Sequence, residues 1–409
     1  MPPLRHGAPL WLVGAHARQA PRYRALRRDV TVDIVVIGGG ITGAAIACKM
    51  AAENIRVAVL EGRHVARGST AANTALLMQE PDKDFGQLAC LYGVAAATRI
   101  WQLSRAATQD LIATLRRLDI DCDLAERDSI YYTIHSEAVA RLREEHRLRR
   151  AAGFGGRWLA ARALQRVTGI DGAAGIRSRG NAQFDPYRAC LGLVRAAEEE
   201  GALIFERSPV LRIKKTRTGV AAVTARGTVF ASQAVIATGY ATPEFKPLAG
   251  RFAMKHTYVL TSQRIAAPTR ARLGLDDVML WDTGRPYHYA RWTSDHRLIL
   301  GGGDHAQVPE RQRAALFRKQ ISALRRHFER LLPLLREVDI QFAWEGLFAL
   351  TPDGLPYIGP HRRYPRHLFA LGYGGNGMTF GFLAARLLTD RVLGTKSADL
   401  ELFAFGRHR

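Results

Sequence analysis

The chain has 409 residues, 47% of them hydrophobic, with 59 Lys and Arg against 37 Asp and Glu and a formal net charge of +22. That length and apolar content allow at least one large core and two or three structural units, while no run of about 18 uncharged apolar residues is present to make a transmembrane helix. Only 8 of the 59 basic residues are lysine, and the arginines spread over the whole length, which argues for a basic, solvated surface and against a nucleic-acid site.

In chain order, residues 1–30 read as an N-terminal arm of the mature protein, since their short apolar patch lacks a continuous apolar segment followed by a small-residue cleavage site. From Val32 the run VDIVVIGG is β-branched and nearly continuous, as in a strand buried on both faces of a parallel sheet. Glycines, the alanine-rich helical stretch ITGAAIACKMAAEN and a second apolar run, IRVAVLE, complete a strand, turn, helix and strand ending at Glu61. Residues 87–150 read as mainly helical around the strand-like SIYYTIH. Asp185-Pro186 predicts a capped helix through YRACLGLVRAAEEE with a stop at Gly201. Short alternating segments follow: ALIFE, PVLRIKK, GVAAVTA, GTVFAS and QAVIATG. Longer strands come next (KHTYVLTSQ, YHYARW, RLILGGG), then a helix over 310–332. Arg141–Arg150 and Arg311–Arg330 read as solvated faces of amphipathic helices whose apolar positions include Leu142, Leu148, Leu324 and Phe328. The four cysteines, Cys48, Cys90, Cys122 and Cys190, have neither CxxC nor zinc-ligand spacing, so no metal centre is expected and a reducing cytoplasm fits best.

The spacing Gly38-Gly39-Gly40-Ile41-Thr42-Gly43 is GxGxxG at the junction of a buried strand and a helix. Gly38 permits the tight turn, Gly40 lets backbone approach a diphosphate, and Gly43 allows close helix packing. The amides at the helix start then face the anion. Glu61, 23 residues after Gly38, is placed to accept from ribose hydroxyls. The motif predicts dinucleotide binding without separating FAD from NAD.

Three blocks, RGSTAANTALLMQEP, WEGLFALTPDGLPYIGP and LFALGYGGNGMTFGFLAARLL, resemble the D-amino acid oxidase and sarcosine oxidase superfamily, which includes glycine oxidases and gamma-glutamylputrescine oxidases. The resemblance covers nearly everything from Val32 to Gly394. It implies FAD, and an α/β fold with an α+β second domain. A Rossmann-like FAD-binding domain (31–100, 175–250 and 340–409) would be interleaved with an antiparallel-sheet substrate domain (101–174 and 251–339). By the same resemblance Gly68, Ser69 and Thr70 reach the diphosphate, although helix capping is an alternative for both hydroxyls. Asn73 and Thr74 lie near the flavin ring, the Val210 backbone pairs with adenine, and Ala237-Thr238-Gly239 passes under the diphosphate. Gly374, Gly375, Asn376, Gly377, Met378 and Thr379 form a loop and helix start facing the flavin. Relatives with covalent flavin use a cysteine or a histidine; here no cysteine follows Cys190 and the histidine position is Ala71 or Ala72, so non-covalent FAD is expected.

The family oxidises a C–N bond by hydride transfer to flavin N5, giving an imine that hydrolyses, with O2 or a quinone as electron acceptor. The family's carboxylate clamps are missing: an arginine is replaced by Phe348, a lysine by Thr379, and basic residues by Ala75 and Met78. The resemblance therefore points to an amine, a polyamine derivative or an N-substituted amino acid. Arg285, Tyr287, Tyr289 and Arg291 share one parity in GRPYHYARW and are the candidate substrate wall, with a solvated arginine face as the alternative. Glu345 is a candidate partner for a substrate ammonium or for one of these arginines. Lys255 is a candidate for promoting oxygen reduction, on a strand shared with Tyr258. Two further readings are a tRNA-modifying flavoprotein of the same superfamily and a flavin-binding protein without catalysis.

Overall fold

The computed structural model describes residues 5–14 and 19–407. An eight-stranded sheet is organised around Val30–Ile37, which lies parallel to Val57–Leu60 on one side and to Thr228–Gly239 on the other. Leu203–Phe205 extends the sheet beyond Val57–Leu60, and Tyr364–Leu371 continues it in parallel beyond Thr228–Gly239. From Ile34 to Val36 alternate residues serve opposite layers, as the period of two requires. Ile34 and Val36 pack with Ala44, Ala47, Leu193 and Leu383 of the helices Ile41–Ala52, Pro186–Glu199 and Gly377–Val392. Val32 and Val35 pack instead with Val220, Ala222 and Phe369. Burial on both sides explains the unbroken apolar run.

The segments GTVFAS and QAVIATG form one strand, Thr228–Gly239. The polar pair Ser232-Gln233, where the two segments meet, occupies exposed and half-buried positions in mid-strand. The helix after Asp185 forms as expected, with its carboxylate accepting from the Tyr187 and Arg188 amides at 2.8 and 3.0 Å.

The second sheet has ten strands and is antiparallel except where Met279–Asp282 pairs with Ala125–Thr133. Its centre runs Ile340–Leu350, Ala253–Ser262, Leu298–Ala306, His288–Trp292. Ala174–Gln183 and Ile340–Leu350, expected within the FAD-binding unit, belong to this sheet, as does Leu76–Leu77. Sheet membership is decided by partners distant in sequence, which local pattern does not encode. The helix Glu310–Leu331 covers one face through Leu324 and Phe328, against Tyr258, Leu260 and Leu300. On the opposite face Val259, Ile299 and Trp344 join the cluster that holds Ile34 and Val36, so one core connects the two sheets.

Part of the expected N-terminal arm is built into this frame. Arg5–Gly7 pairs with Trp344–Gly346 as an edge strand, and buried Trp11 donates its Nε1–H to the Asn73 carbonyl at 2.8 Å. The arginine-rich helices are not wholly solvated, because each turns one arginine inward. Arg149, 1% exposed, donates to Glu145 at 2.6 Å and lies over the Trp101 ring; Arg313, 3% exposed, pairs with Glu345. No helix among the described residues is long and apolar enough to cross a membrane.

Candidate active site

The glycine turn ends the strand Val30–Ile37 and starts the helix Ile41–Ala52. Gly38 has φ +111°, and a Cβ there would sit 2.6 Å from the Ala237 carbonyl oxygen; a Cβ on Gly43 would collide with the Gly38 carbonyl. The helix has no carboxylate in its first turn. Thr70 Oγ1 accepts from the Ile41 amide at 2.9 Å, so this hydroxyl caps the helix. Glu61 takes the Gly39 and Arg63 amides at 2.9 and 2.7 Å. A positive helix end with no carboxylate in its own first turn, backed by backbone at Ala237 and flanked by Glu61, fits a dinucleotide diphosphate with its ribose. Val210 lies outside regular structure, packed with the cluster of Val35 and Leu60.

Beyond the turn lies a cavity of about 180 Å³. Ser69, Asn73, Thr74, Gly239, Tyr287, Tyr289, Gly374, Gly375, Asn376 and Gly377 line it, joined by Thr257, Trp281, Phe348, Glu80, Asp82 and Asp304. Both sheets therefore contribute. The Gly375 amide donates to Asp82 Oδ2 at 2.6 Å, and a Cβ on Gly375 would collide with the Tyr287 hydroxyl, so that glycine lets both side chains close on the loop. Asn376 Nδ2 donates to the Glu80 carbonyl at 2.5 Å. Tyr289 and Thr257 hydroxyls lie 3.3 Å apart. A larger groove of about 880 Å³ is lined by Arg251, Arg362, Arg363, Arg391 and Lys396 and contains none of the candidate site residues. Size alone does not select the site; chemistry does.

Burial raises the Asp82 pKa to about 6, with Asp304 adding to the rise while the Gly375 amide opposes it. Burial also raises Asp304, and raises Tyr287 and Tyr289 far enough to keep both hydroxyls protonated. Glu80 is 3% exposed and accepts from the Ser129 hydroxyl at 3.2 Å.

Several candidates lie elsewhere. Arg291 is buried and donates to the carbonyls of Thr74, Trp292 and Phe184 at 2.6, 3.1 and 2.9 Å, so its guanidinium is consumed by backbone. Arg285 is exposed in the turn ahead of the strand and donates to Gly284. Glu345 pairs with Arg313, not with Arg285 or Arg291, and His256 lies 3.5 Å from it. Met378 is buried, and Thr379 donates to the Met78 carbonyl at 2.7 Å. Gly68 and Thr70 sit behind the cavity lining, with Gly68 preceding the short helix Ser69–Ala72. Lys255 and Tyr258 do not line the cavity, and Tyr258 is buried against Phe317. Sequence reasoning missed Asp82, Asp304, Glu80, Thr257 and Trp281. The available signals were weak: Asp82 follows directly on the RGSTAANTALLMQEP block, and Asp304 follows the glycine run 301–303.

The chain is 26% identical over 385 residues to the gamma-glutamylputrescine oxidoreductase of Escherichia coli K12, covering 93% of this chain and 88% of that one. It is 28% identical over 386 residues to a Bacillus licheniformis glycine oxidase, covering 91% and 96%. The crystal structure of glycine oxidase from Geobacillus kaustophilus superposes with a TM-score of 0.76 at 23% identity, over 93% of this chain and 99% of that one, which shows a common fold. Residues 33–391 match the DAO family model of FAD-dependent oxidoreductases. With the glycine turn, the two-sheet frame and this match in agreement, the chain belongs to the DAO family and is an FAD-dependent oxidoreductase.

Proposed function

We propose that the substrate is an amine carrying a second, cationic nitrogen, oxidised at a C–N bond. The observation that carries this reading is the lining of the cavity: Glu80, Asp82 and Asp304 are there, and among the described residues no arginine or lysine is. A bare substrate carboxylate would meet like charge, at a cost of several kcal/mol. An ammonium about 4 Å from a carboxylate gains about 4 kcal/mol at an effective dielectric of 20. The same count disfavours glycine and other small α-amino acids, which lack a clamp here.

Bound FAD supplies the two-electron oxidant. The residues that would hold it are Gly38–Gly43, Glu61, Ser69, Thr70 and the Gly374–Gly377 loop, and Ala71 and Ala72 offer no side chain for a covalent link. Asp82 and Asp304 attract the distal ammonium, while Tyr287, Tyr289 and Trp281 provide ring faces for its charge and its alkyl chain. Leu347, Phe348 and Ala349 form an apolar wall; a nitrogen desolvated there loses proton affinity and keeps its lone pair.

The test is anaerobic titration of the FAD-loaded protein with a linear diamine, with glycine and with sarcosine, followed by admission of O2 or of a soluble quinone. Bleaching by the diamine is expected, with Asp304→Asn raising the half-bleaching concentration at least tenfold. Bleaching by glycine or sarcosine and none by the diamine would refute the reading. The faster reoxidant identifies the electron acceptor.

A further inference from the structure

A second constellation lies behind the cavity wall. The strands Met279–Asp282 and His288–Trp292 carry Asp282 and His288 beside His327 of the helix Glu310–Leu331. Asp282 Oδ2 is 3.0 Å from His288 Nδ1 and 3.9 Å from His327 Nε2, and one donor atom from each of the three lies within 4.8 Å of the others. The two imidazoles stack, with centroids 3.7 Å apart and planes 16° from parallel. Asp282 Oδ1 is occupied by the Gly284 and His288 amides at 2.9 and 3.0 Å, which fixes the carboxylate and leaves Oδ2 directed at the histidines. His327 Nε2 is buried and has no hydrogen-bond partner among the described residues.

We propose that Asp282, His288 and His327 bind one divalent transition cation, best matched by zinc. Two imidazoles and a carboxylate are borderline ligands suited to Zn2+, and three protein donors leave a fourth position for water. Tetrahedral bonds of about 2.0–2.1 Å place donor atoms about 3.3 Å apart, close to the 3.0 and 3.9 Å from Asp282 to the two histidines, and a rotation of one imidazole out of the stack brings both in-plane lone pairs onto one cation. Coordination through His288 Nδ1 and His327 Nε2 leaves each ring one proton, on Nε2 and Nδ1 respectively, so both bind neutral.

The place of the site gives it a consequence. Tyr287 and Tyr289 flank His288 in sequence and line the cavity, whereas His288 and His327 do not. A bound cation would fasten the helix Glu310–Leu331 to the hairpin that presents these tyrosines. It is thus a structural clamp on the substrate wall, separate from the redox chemistry.

The experiment uses untagged, FAD-loaded protein stripped with chelator. Zn2+ is titrated calorimetrically, retained metal is measured after gel filtration, and thermal unfolding is followed against Zn2+ concentration. One Zn2+ per chain and a melting temperature that climbs with Zn2+ are expected, with binding at least tenfold weaker in His327→Gln. The visible flavin spectrum reports whether that variant is folded. X-ray absorption of the zinc-loaded wild type gives an independent reading, in which imidazole scattering with a light-atom shell is expected. No stoichiometric zinc, equal binding by folded His327→Gln, or a shell without imidazole would overturn the proposal.

Discussion

Asp82 is an acid in tension between two surroundings. The Gly375 amide favours its charged form, but burial and Asp304 win and leave its pKa at about 6. In the unfolded chain an aspartate titrates near 3.9, so between about pH 4 and 6 the folded state holds the extra proton. Stability from this group is therefore present at low pH and declines as pH rises through that window. Asp82→Asn should raise the melting temperature at pH 7 and have little effect at pH 4, read by thermal unfolding at the two values. Activity should run the other way: kcat/KM for a cationic amine falls as pH drops through about 6, and this acidic limb disappears in Asp82→Asn. Unchanged profiles in the variant would show that Asp82 does not face the substrate. Neither Asp82 nor Asp304 was legible in the sequence as a site residue. The turn of Gly38, Gly43 and Glu61 was legible, because strand, turn and helix follow one another at a fixed spacing in the chain. Asp82 meets the Gly375 amide only as a loop contact between segments 293 residues apart, and Asp304 reaches the same cavity from the strand Leu298–Ala306.

The glycine helix and the arginine helix make different demands of the elements beside them. Gly43 packs its α-carbon against the Gly38 carbonyl, where a methyl group would strike backbone that has no room to yield. Gly43→Ala should weaken FAD binding at least tenfold, measured by flavin fluorescence during titration, because relief of the clash moves the turn proposed to face the diphosphate. The helix Glu310–Leu331 is tied to Ile340–Leu350 by Arg313 and Glu345, 3% and 0% exposed. Breaking a buried pair by removing one partner costs about 3–5 kcal/mol, whereas an exposed pair is worth about 0.2–1 kcal/mol. Denaturant unfolding should accordingly rank Glu345→Gln far below Asp33→Asn, whose partner Arg56 is 66% exposed. Similar losses for the two would mean that Glu345 is not buried with its arginine. Periodicity located both helices and most strands, but it reports a face and not a depth. Tyr287, Tyr289 and Arg291 do share a parity, yet the first two reach the cavity while Arg291 meets the backbone of Thr74 and Phe184. Arg285 stands in the turn ahead of His288–Trp292, where strand alternation does not apply.

Across the whole molecule, the cavity is a seam. Gly239 comes from the eight-stranded sheet, while Thr257, Tyr289, Asp304 and Phe348 come from the ten-stranded one, and Asn73, Thr74 and the Gly374–Gly377 loop lie between them. Such an interleaved plan was readable from the order of the motifs, but strand allegiance was not: Ala174–Gln183 and Ile340–Leu350 carry no local mark of the sheet they join. A cofactor that binds the folded state without a covalent bond stabilises it by mass action, by about 2.7 kcal/mol at one hundred times its dissociation constant. Acid precipitation should therefore leave the yellow colour in the supernatant, as Ala71 and Ala72 imply; flavin that stays with the pellet would mean a covalent bond. Protein freed of FAD under mild conditions should melt at a lower temperature, and added FAD should restore the transition in a concentration-dependent way. Because one core cluster runs from Ile34 and Val36 to Val259 and Trp344, the two sheets should lose structure together and not in separate steps. Two resolved transitions in the FAD-free protein would show that the common core is too weak to couple the sheets, and that FAD itself is the principal link.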